Sequence, residues 1–429
     1  MIRNIFEERE QMQAEQLEKL NQLLAAARKN EFYKKRLNPK FLDKDFTNVK
    51  DISEAFPLLT KDEIAEDHKN NPPFGTNLTY PLEEYNHFNQ TSGTTSTPIR
   101  WVDDEESWQW MVDNWKIVLD LAGLKKGDRA MFAFSFGPFL GFWTAFDAVR
   151  QKGAMIIPGG GMTTIARLHA IIDNNVDTLF CTPTYAMRMG EIAKEEKFDL
   201  SNSPVKRIIM AGEPGGSIAA TRARILKVWP NTELIDHHGM TEVGPASYQN
   251  PVKPGSLHII SSSYYAEIID PETGSKVQPG FVGELVLTTL GRFGSPAIRY
   301  RTGDYVMRGN RGKCEDCGTY DLKLEGGILG RIDNMIFVRG VNIYPAAVEE
   351  LIRKYSEIIE YRVEFKSRRS MTEMNVKIEC APDTPKPQKI AKALQMDMRT
   401  AFTLRIPVIL AEPNELPRFE AKAKRWVRL

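Results

Sequence analysis

Residues 90–98 form a run of hydroxyl side chains around one glycine, with the sequence QTSGTTSTP. Each serine or threonine offers a hydrogen-bond donor, and glycine lets the backbone approach a ligand closely. Hydroxyls and backbone N–H groups combined in this way can wrap around a polyphosphate. A Ser/Thr-rich stretch is more often a solvated loop, so this run alone is weak evidence for a phosphate site. The candidate phosphate contacts are Thr91, Ser92, Gly93, Thr94 and Thr95.

Three more polar clusters follow in the second half of the chain. They read HHGMTE at 237–242, YRTGD at 300–304 and GRID at 330–333. A phosphate-binding run followed by carboxylates, hydroxyls and an arginine indicates a nucleotide site built from distant segments.

In order and spacing, these four runs resemble the adenylate-forming superfamily of acyl-CoA synthetases and related ligases. Within it the chain is similar to the phenylacetate-CoA ligase branch, through its compact length, the NEFY stretch at 30–33 and the closing LPRFEAKAKR at 416–425. The resemblance extends over essentially the whole chain. It implies that the protein uses ATP, Mg²⁺ and CoA to convert a carboxylic acid into its thioester.

Length and charge limit the number of domains and the kinds of partner that the protein can have. At 429 residues the chain is longer than one hydrophobic core usually supports, which predicts two or more domains. With 57 basic and 56 acidic residues the formal charge is +1, which argues against a broad nucleic-acid-binding face. We expect small-molecule partners and no nucleic acid.

The targeting signals are those of a cytoplasmic protein. No run of 18 or more apolar residues occurs, and the start MIRNIFEERE turns acidic too early for a secretory signal. Four cysteines in a chain of this size are too few for a disulfide framework. We therefore expect a cytoplasmic protein without a membrane partner, with a homodimer among the oligomeric states left open.

The pattern of apolar runs predicts an α/β fold. Residues 5–29 carry an apolar stripe at helical spacing, and short apolar runs alternate with helical stretches between 107 and 230, which is typical of parallel βαβ units. A β-rich subdomain is expected over 257–307, and a small α+β unit after Gly330, with Pro345 one step inside a helix start. The predicted domains are an N-terminal adenylation domain at 1–332 and a C-terminal domain at 333–429.

The resemblance assigns roles to the residues that face the phosphates. The hydroxyl-rich run would hold the β- and γ-phosphates, Thr241 would reach the α-phosphate, and Glu242 would bind Mg²⁺, a hard ion that prefers oxygen ligands. Two positions depart from the family pattern, because Ser96 stands where glycine is commonest and Ile99 where many members have lysine. The missing charge at Ile99 leaves more phosphate neutralisation to Mg²⁺ and to other groups.

The nucleoside contacts are implied in the same way. His238 occupies the position of an aromatic residue that packs against adenine, and Asp304 would accept both ribose hydroxyls with Arg331 beside it. The backbone of the adenine-side loop would read the base edge; its residues are Gly212, Glu213 and Pro214. Next to this site, His237 is interpreted as a structural histidine.

The resemblance also implies a moving C-terminal domain. Asp333 matches the hinge residue at the domain boundary, where one residue absorbs a large backbone change. Lys422 matches the lysine that stabilises charge during acyl-AMP formation. Lys424 is a nearby alternative. A solvated basic tail with no catalytic role is the competing interpretation of both lysines.

The acid pocket is predicted near the strand ends, where aromatic walls favour a flat ring. Its principal candidates are Phe136, Phe139, Gly160, Gly215 and Gly216. Neighbouring candidates are Phe142, Trp143, Gly159 and Gly161. Ordinary core packing is the competing interpretation for each aromatic residue.

Cys314 and Cys317 form a C-x-x-C pair, which is half of a zinc site. By resemblance to relatives that carry a structural zinc here, His258 in the stretch SLH would be a third ligand. Neither remaining cysteine is placed to be a fourth. Two free thiols are the alternative interpretation, and a thioredoxin-type role is disfavoured because the pair leads into glycine and not into a helix.

The function expected from these residues is AMP-forming ligation of an aromatic or arylacetic acid to CoA. A second hypothesis passes the acyl-AMP to an amine or to a carrier-protein thiol. A third, a non-catalytic nucleotide-binding regulatory protein, is disfavoured because the proposed catalytic set is complete: Thr241, Glu242, Asp304, Arg331 and Lys422.

Overall fold

The computed structural model describes residues 9–91, 98–310, 312–332, 336–338, 341–368, 371–419 and 423–429. The chain opens with α1 (Arg9–Lys29), whose apolar stripe is buried as predicted. Asn30 then caps α2 (Glu31–Lys34) by accepting the backbone N–H groups of Phe32 and Tyr33. The next two helices are α3 (Ile52–Ala55) and α4 (Lys61–Asn70).

An antiparallel hairpin follows, formed by β1 (Tyr85–Gln90) and β2 (Arg100–Asp104). Its strands pair up to Gln90 and Arg100, so the hydroxyl-rich run connects the two strands. The backbone N–H of Gln90 donates to the carbonyl oxygen of Pro138, which fixes the hairpin against the main body of the fold.

A five-stranded parallel sheet forms the centre of the N-terminal part, in the order β4-β3-β5-β6-β7. Its strands are β3 (Arg129–Phe132), β4 (Met155–Pro158), β5 (Thr178–Cys181), β6 (Arg207–Met210) and β7 (Glu233–Asp236). The accompanying helices are α5 (Glu105–Leu121), α6 (Trp143–Gln151), α7 (Thr164–Asp173), α8 (Pro183–Glu195) and α9 (Ala219–Val228). The prediction of parallel βαβ units is confirmed, and the glycine-rich and histidine runs follow the carboxyl ends of the strands, where such sheets bind ligands.

The chain then becomes antiparallel. A short ribbon of β8 (Gly239–Met240) and β9 (Gly244–Pro245) precedes a six-stranded sheet in the order β10-β11-β15-β14-β13-β12. These strands are β10 (Ser247–Gln249), β11 (Ser256–Ile259), β12 (Tyr264–Ile269), β13 (Val282–Thr289), β14 (Tyr300–Arg308) and β15 (Lys323–Arg331). The predicted β-rich region is present, and it is wider than expected because it includes β10 and β15.

The C-terminal part has its own four-stranded sheet and its own apolar core. Its elements are β16 (Ile336–Val338), β17 (Val341–Ile343), α10 (Pro345–Arg353), β18 (Ile358–Arg368), β19 (Met371–Cys380), α11 (Pro387–Phe402), β20 (Val408–Leu410) and β21 (Trp426–Arg428). The sheet order is β20-β19-β18-β21. Pro345 is the first residue of α10, as its position in the sequence predicted. None of the helices in the described ranges is long and apolar enough to cross a membrane.

Candidate active site

Asp304 is a buried carboxylate between two of the residues predicted to bind nucleotide. It pairs in register with Arg331 on the neighbouring strand, and its Oδ1 accepts a hydrogen bond from Arg331 Nη1 at 3.2 Å. Its Oδ2 lies 2.9 Å from Nε2 of His238. Burial by itself would raise the pKa of Asp304, but His238 and Arg331 outweigh burial, so the pKa lies below its ordinary value. The structure thus brings His238 and Arg331, which lie 66 and 27 positions from Asp304 in the sequence, into contact with its carboxylate.

His238 keeps one ring nitrogen without a protein partner. With Nε2 directed at Asp304, Nδ1 is buried and makes no hydrogen bond within the described part of the chain. A buried polar atom of this kind is costly unless another group satisfies it. The neighbouring His237 differs, because it is buried and donates Nδ1–H to the Ser247 carbonyl oxygen at 2.7 Å. Those contacts agree with the structural role expected for His237.

A glycine beside Asp304 makes room for the arginine. Arg331 Nη1 donates to the carbonyl oxygen of Thr302 at 2.5 Å, which holds the guanidinium across the strand. Gly303 lies in the left-handed region at φ +73°, and a Cβ there would stand 2.7 Å from Arg331 Nη2. The YRTGD motif therefore needs its glycine both for backbone conformation and for the space that Arg331 occupies.

Glu242, the predicted metal ligand, is buried beside a phenol and an ammonium group. Tyr300 Oη donates to Glu242 Oε1 at 3.3 Å, and Lys61 Nζ lies 3.6 Å from the same oxygen. Burial and the charge of Glu242 raise the pKa of Tyr300 well above its ordinary value, so the phenol stays protonated and donates. Thr241 lies half-buried next to it in the chain.

Lys61 is a residue that the sequence analysis missed. It is the first residue of α4, whose N-cap Thr60 and Glu63 form a capping box. In sequence it is indistinguishable from a surface lysine at a helix start. The structure nevertheless places its ammonium group, 40% exposed, at the carboxylate predicted to hold Mg²⁺.

The sequence analysis also missed an ion pair that holds the backbone of the Thr241–Glu242 segment. Arg292 and Asp103 form a fully buried bidentate ion pair, with Nε–Oδ1 at 2.5 Å and Nη2–Oδ2 at 2.7 Å. Arg292 Nη1 also donates to the backbone oxygens of Thr241 and Glu242, at 2.9 and 3.0 Å. Since Asp103 lies on β2, this pair connects the hairpin that carries the hydroxyl-rich run to the predicted metal ligand.

Of the five predicted phosphate contacts in the hydroxyl-rich run, Thr91 lies in the described part of the chain. It is buried, its backbone N–H donates to the Ile99 carbonyl oxygen at 2.9 Å, and its Oγ1 accepts the Ile99 N–H at 3.1 Å. Thr91 therefore closes the base of the connection between β1 and β2. The other four predicted phosphate contacts, Ser92, Gly93, Thr94 and Thr95, lie outside the described residues, as does Ser96.

The predicted adenine-side loop follows β6, and close packing explains why the two positions after it, 215 and 216, are glycines. A Cβ at Gly216 would lie 2.1 Å from Asp236 Oδ1, and one at Gly215 would lie 2.9 Å from Pro183 Cβ. Burial raises the pKa of Asp236, whose Oδ2 accepts a 2.5 Å hydrogen bond from Ser217. Close packing of the loop thus accounts for both glycines, and their membership of an acid pocket stays a prediction. Gly212, at φ +96°, and Pro214 are the other backbone members of this loop.

Part of the predicted acid pocket does assemble as an aromatic cluster after β3. Phe136 and Phe139 meet Phe134 edge to face, with ring centroids 6.0 and 5.5 Å away. A Cβ on Gly160 would touch Phe136 at 3.6 Å, so these predicted residues share one neighbourhood. Phe142 differs, because it is 2% exposed and packs in the core against Phe132, in line with the core-packing interpretation.

The two residues predicted to carry the domain movement lie outside the described part of the chain. These are Asp333, the expected hinge, and Lys422, the expected catalytic lysine. The alternative lysine, Lys424, is exposed. Between Lys424 and the predicted catalytic position, the backbone N–H of Ala423 donates to Glu213 Oε2 at 3.0 Å.

The C-x-x-C pair converges with His258 as expected. The donor atoms of His258, Cys314 and Cys317 all lie within 4.8 Å of one another. His258 donates Nδ1–H to the Asp321 carbonyl oxygen at 3.1 Å, which leaves the Nε2 lone pair facing Cys317 Sγ at 3.5 Å. Burial lowers the pKa of His258 and raises that of Cys317 to about 11. This is a neutral imidazole oriented by its outer hydrogen bond, beside two thiols that a metal ion would deprotonate.

The fourth side of this cluster is occupied by an amide. Asn250 Nδ2 lies 3.3 Å from His258 Nε2 and 3.7 Å from Cys314 Sγ. Within the described ranges, no fourth histidine, cysteine or carboxylate joins the group. The donor set therefore supplies three of the four ligands that structural Zn²⁺ sites use.

The described fold combines a parallel sheet, an antiparallel sheet that carries Asp304 and Arg331, and a C-terminal unit with its own core. This is the architecture of the adenylate-forming ligases that the motifs predicted. Residues 34–293 match the family model described as AMP-binding enzyme, and residues 340–428 match the AMP-binding enzyme C-terminal domain. The chain belongs to the AMP-binding enzyme family, as its motifs predicted.

Among its relatives is the phenylacetate-coenzyme A ligase of Aromatoleum evansii, which is 29% identical over an alignment of 436 residues. That alignment includes 97% of this chain and 94% of the relative. Among solved structures, 2-hydroxyisobutyryl-CoA ligase in its postadenylation state superposes with a TM-score of 0.88 at 24% identity, over 96% of this chain and 88% of that one. The same ligase in its thioesterification state, with 2-HIB-AMP and CoA, gives 0.72 at 25% identity, over 98% and 90%.

Proposed function

We propose that this protein is an AMP-forming acid–CoA ligase that activates an aromatic or arylacetic carboxylic acid. The observation that supports the proposal is the cluster in which His238 and Arg331 contact the Asp304 carboxylate, near the Glu242–Tyr300 pair. Both carboxylates and Arg331 are close enough to influence the pKa of Tyr300, so the two groups belong to one neighbourhood. Relatives that are phenylacetate- and other CoA ligases support the acyl-CoA ligase activity.

Nucleoside binding is proposed to centre on Asp304. Each carboxylate oxygen has two lone pairs, and the protein uses one on each, so both oxygens can still accept a ribose hydroxyl. His238 would present its ring to adenine and its unpartnered Nδ1 to a donor. Arg331 keeps Asp304 ionised and supplies positive charge near the phosphates.

In the first half-reaction the substrate carboxylate attacks the α-phosphate of ATP, and pyrophosphate leaves. Bound Mg²⁺ would supply charge neutralisation at the phosphates. Glu242 fits as its carboxylate ligand because the contacts from Tyr300 and Lys61 both use Oε1, which leaves Oε2 to bind a metal ion. Lys61 is positioned to supply part of the charge missing at Ile99, since its ammonium group lies at Glu242. Lys422 is proposed to stabilise the developing charge on the carboxylate and α-phosphate oxygens.

In the second half-reaction the CoA thiol attacks the acyl carbonyl carbon and AMP leaves. No side-chain nucleophile is needed in either step. The C-terminal domain is proposed to begin at Asp333 and to rotate there between the half-reactions. The better superposition on the postadenylation state than on the thioesterification state, 0.88 against 0.72, supports an arrangement suited to the first half-reaction.

Aromatic acids are proposed because Phe134, Phe136 and Phe139 gather beside Gly160 at the carboxyl edge of the sheet. Aromatic edges and a small residue form a slot that suits a flat ring. These aromatic residues are therefore the support for the proposed choice of an aromatic substrate.

The test is acid-dependent exchange of labelled pyrophosphate into ATP, run over benzoate, phenylacetate, indoleacetate and aliphatic acids of matched size. We expect exchange with at least one aromatic acid, and AMP release that becomes stoichiometric with thioester when CoA is added. Exchange with aliphatic acids alone would contradict the aromatic assignment. Exchange followed by transfer only to an added amine or carrier protein would contradict the CoA assignment.

We also propose a structural Zn²⁺ held by His258, Cys314 and Cys317. The support is the short separation of the three donor atoms and the hydrogen bond that orients His258. Bound there, the ion would join β11 to the loop that precedes β15.

A further inference from the structure

The side chain of Glu213 connects two parts of the chain that are far apart in sequence. Its Oε1 accepts the backbone N–H of Thr184 at 2.8 Å, in the first turn of α8. Its Oε2 accepts the backbone N–H of Ala423 at 3.0 Å, 210 residues further along the chain. Both oxygens of this carboxylate are thus engaged by protein N–H groups, one from the N-terminal part and one from the C-terminal unit.

Thr184 is the second member of the same junction. Its Oγ1 accepts a hydrogen bond from Arg425 Nη1 at 3.1 Å, while its backbone N–H is held by Glu213. Arg425 is buried and forms a bidentate pair with Glu360 on β18, at 2.6 and 3.1 Å. Arg425 is therefore rigidly part of the C-terminal unit, and the segment 423–425 is attached at one end to Glu213 and at the other end to Thr184 on α8.

A separate contact docks the C-terminal unit elsewhere. The carboxylate of Glu350 on α10 accepts the Ala220 N–H at 3.0 Å, and Arg224 Nη1 donates to the Ile358 carbonyl oxygen at 2.7 Å. These contacts join α9 to the start of the C-terminal unit and do not involve Glu213. Loss of the Glu213 side chain would consequently free the backbone at Ala423 and leave the Arg425 contacts and the rest of the interface in place.

We propose that Glu213 is a positioning residue that anchors the C-terminal segment for acyl-AMP formation. The inference deepens the proposed function and rests on it, because Ala423 directly follows Lys422, the lysine proposed to act on the α-phosphate. A hydrogen bond at Ala423 restrains the backbone one residue from that lysine. Both N–H groups donate to an ionised acceptor, the strong kind of hydrogen bond.

The anchor belongs to one of the two arrangements of the domains. The chain superposes better on a relative in its postadenylation state than on the same relative in its thioesterification state. A contact made in only one arrangement shifts the equilibrium toward it. Glu213 accordingly favours the first half-reaction and adds nothing to the second.

The experiment compares Glu213→Gln and Glu213→Ala with Glu195→Gln, which changes an exposed carboxylate at the end of α8, the helix whose first turn Glu213 contacts. Acyl-AMP formation is measured by pyrophosphate release in a single turnover, and thioester formation is measured from chemically prepared acyl-AMP and CoA. We expect Glu213→Ala to slow the first reaction at least tenfold and to leave the second within twofold. Glu213→Gln keeps one acceptor oxygen and should lie between Glu213→Ala and the wild type. Equal loss in both reactions, or no loss in the first, would overturn the proposal.

Hydrogen exchange provides a measurement that does not depend on turnover. The Ala423 amide, followed in peptides that include residues 423–429, should exchange several-fold faster in Glu213→Ala than in the wild type and in Glu195→Gln. Peptides from α10 should be unchanged, which separates local release from general unfolding. Unchanged exchange at 423–429 would disprove the anchor even if no acid were turned over. If exchange is faster in Glu213→Ala but the wild-type protein adenylates no acid, the contact is retained and the proposed function is refuted.

Discussion

Asp304 Oδ2 lies 2.9 Å from Nε2 of His238, so the residue predicted to bind ribose and the residue predicted to face adenine are directly hydrogen-bonded. The imidazole and Arg331 together keep the carboxylate ionised despite its burial. The pair therefore presents an anion and an aromatic ring in a fixed relative orientation, which is the arrangement that recognition of a nucleoside requires.

Replacing Asp304 by alanine should lower kcat/KM for ATP roughly 100-fold, because two charge-assisted hydrogen bonds to ribose would be lost. Pyrophosphate exchange over a range of ATP concentrations measures the effect. The matched control is Asp43→Asn, which removes an exposed carboxylate and should retain wild-type kinetics. An Asp304→Ala variant with unchanged kinetics would exclude this carboxylate from the nucleotide site.

Lys422→Ala should abolish acyl-AMP formation, on the order of 100-fold or more, and leave thioester formation from supplied acyl-AMP largely intact. Asp333→Pro should do the reverse, because a fixed φ prevents rotation at the hinge. Both half-reactions are measured separately in each variant. Equal losses in the lysine variant would refute its catalytic role, and normal thioester formation in Asp333→Pro would count against rotation there.

Glu242→Gln should raise the Mg²⁺ concentration needed for half-maximal pyrophosphate exchange, on the order of tenfold, because the variant loses the charged oxygen ligand. Titration with Mg²⁺ at saturating ATP gives the value. Tyr300→Phe removes only the hydrogen bond to Glu242 Oε1 and should give a smaller increase. The assignment fails if Glu242→Gln has the same Mg²⁺ dependence as the wild type.

His237 should make the protein less stable as the pH falls below 6.5. Burial lowers its pKa from 6.5 to about 3. The unfolded chain therefore binds a proton that the folded chain does not, so the stabilising contribution is present above pH 6.5 and is lost on acidification. Between pH 7 and pH 5 the loss is roughly 2 kcal/mol.

Urea unfolding of the wild type and of His237→Asn between pH 5 and pH 7.5 measures this contribution. The difference between their free energies of unfolding should shrink by that amount on acidification. His169→Asn, at an exposed histidine, is the control and should follow the wild type. Parallel curves for the wild type and His237→Asn would contradict the prediction.

Protein purified without chelators should contain about one zinc ion per chain by elemental analysis. Cys314→Ser and Cys317→Ser should lose it, while Cys380→Ser, at a half-buried thiol in the C-terminal unit, should retain it. Metal-free wild-type protein would establish that the three donors form a pair of thiols beside a histidine and nothing more.

Local patterns made much of the fold predictable. Alternating helical and apolar stretches between 107 and 230 predicted the parallel βαβ units, although β7 (Glu233–Asp236) lies beyond that range, and Pro345 predicted the start of α10. These features depend on side-chain periodicity and backbone conformation over a few residues, which any short window of sequence contains. The polar motifs likewise indicated segments of which the structure brings His238, Asp304 and Arg331 together.

Other site residues had no local signal. Asp103 and Arg292 are 189 positions apart, and their pairing beneath Thr241 and Glu242 depends on two strands and a loop meeting in the core. Lys61 looks like any helix-start lysine until α4 is placed against Glu242. For Glu213 the sequence indicated the loop backbone, whereas the structure reveals a side chain that contacts the C-terminal segment.

The sequence by itself determined the family, the alternation of helices and strands, and the set of polar motifs, because each of these depends on the types of residues that are close together in the sequence. The tertiary structure decided which of those side chains face one another: His238 with Asp304, Lys61 with Glu242, and Glu213 with Ala423. The physical reason is that charges and hydrogen bonds act over a few ångströms, and only the folded path of the chain sets those distances.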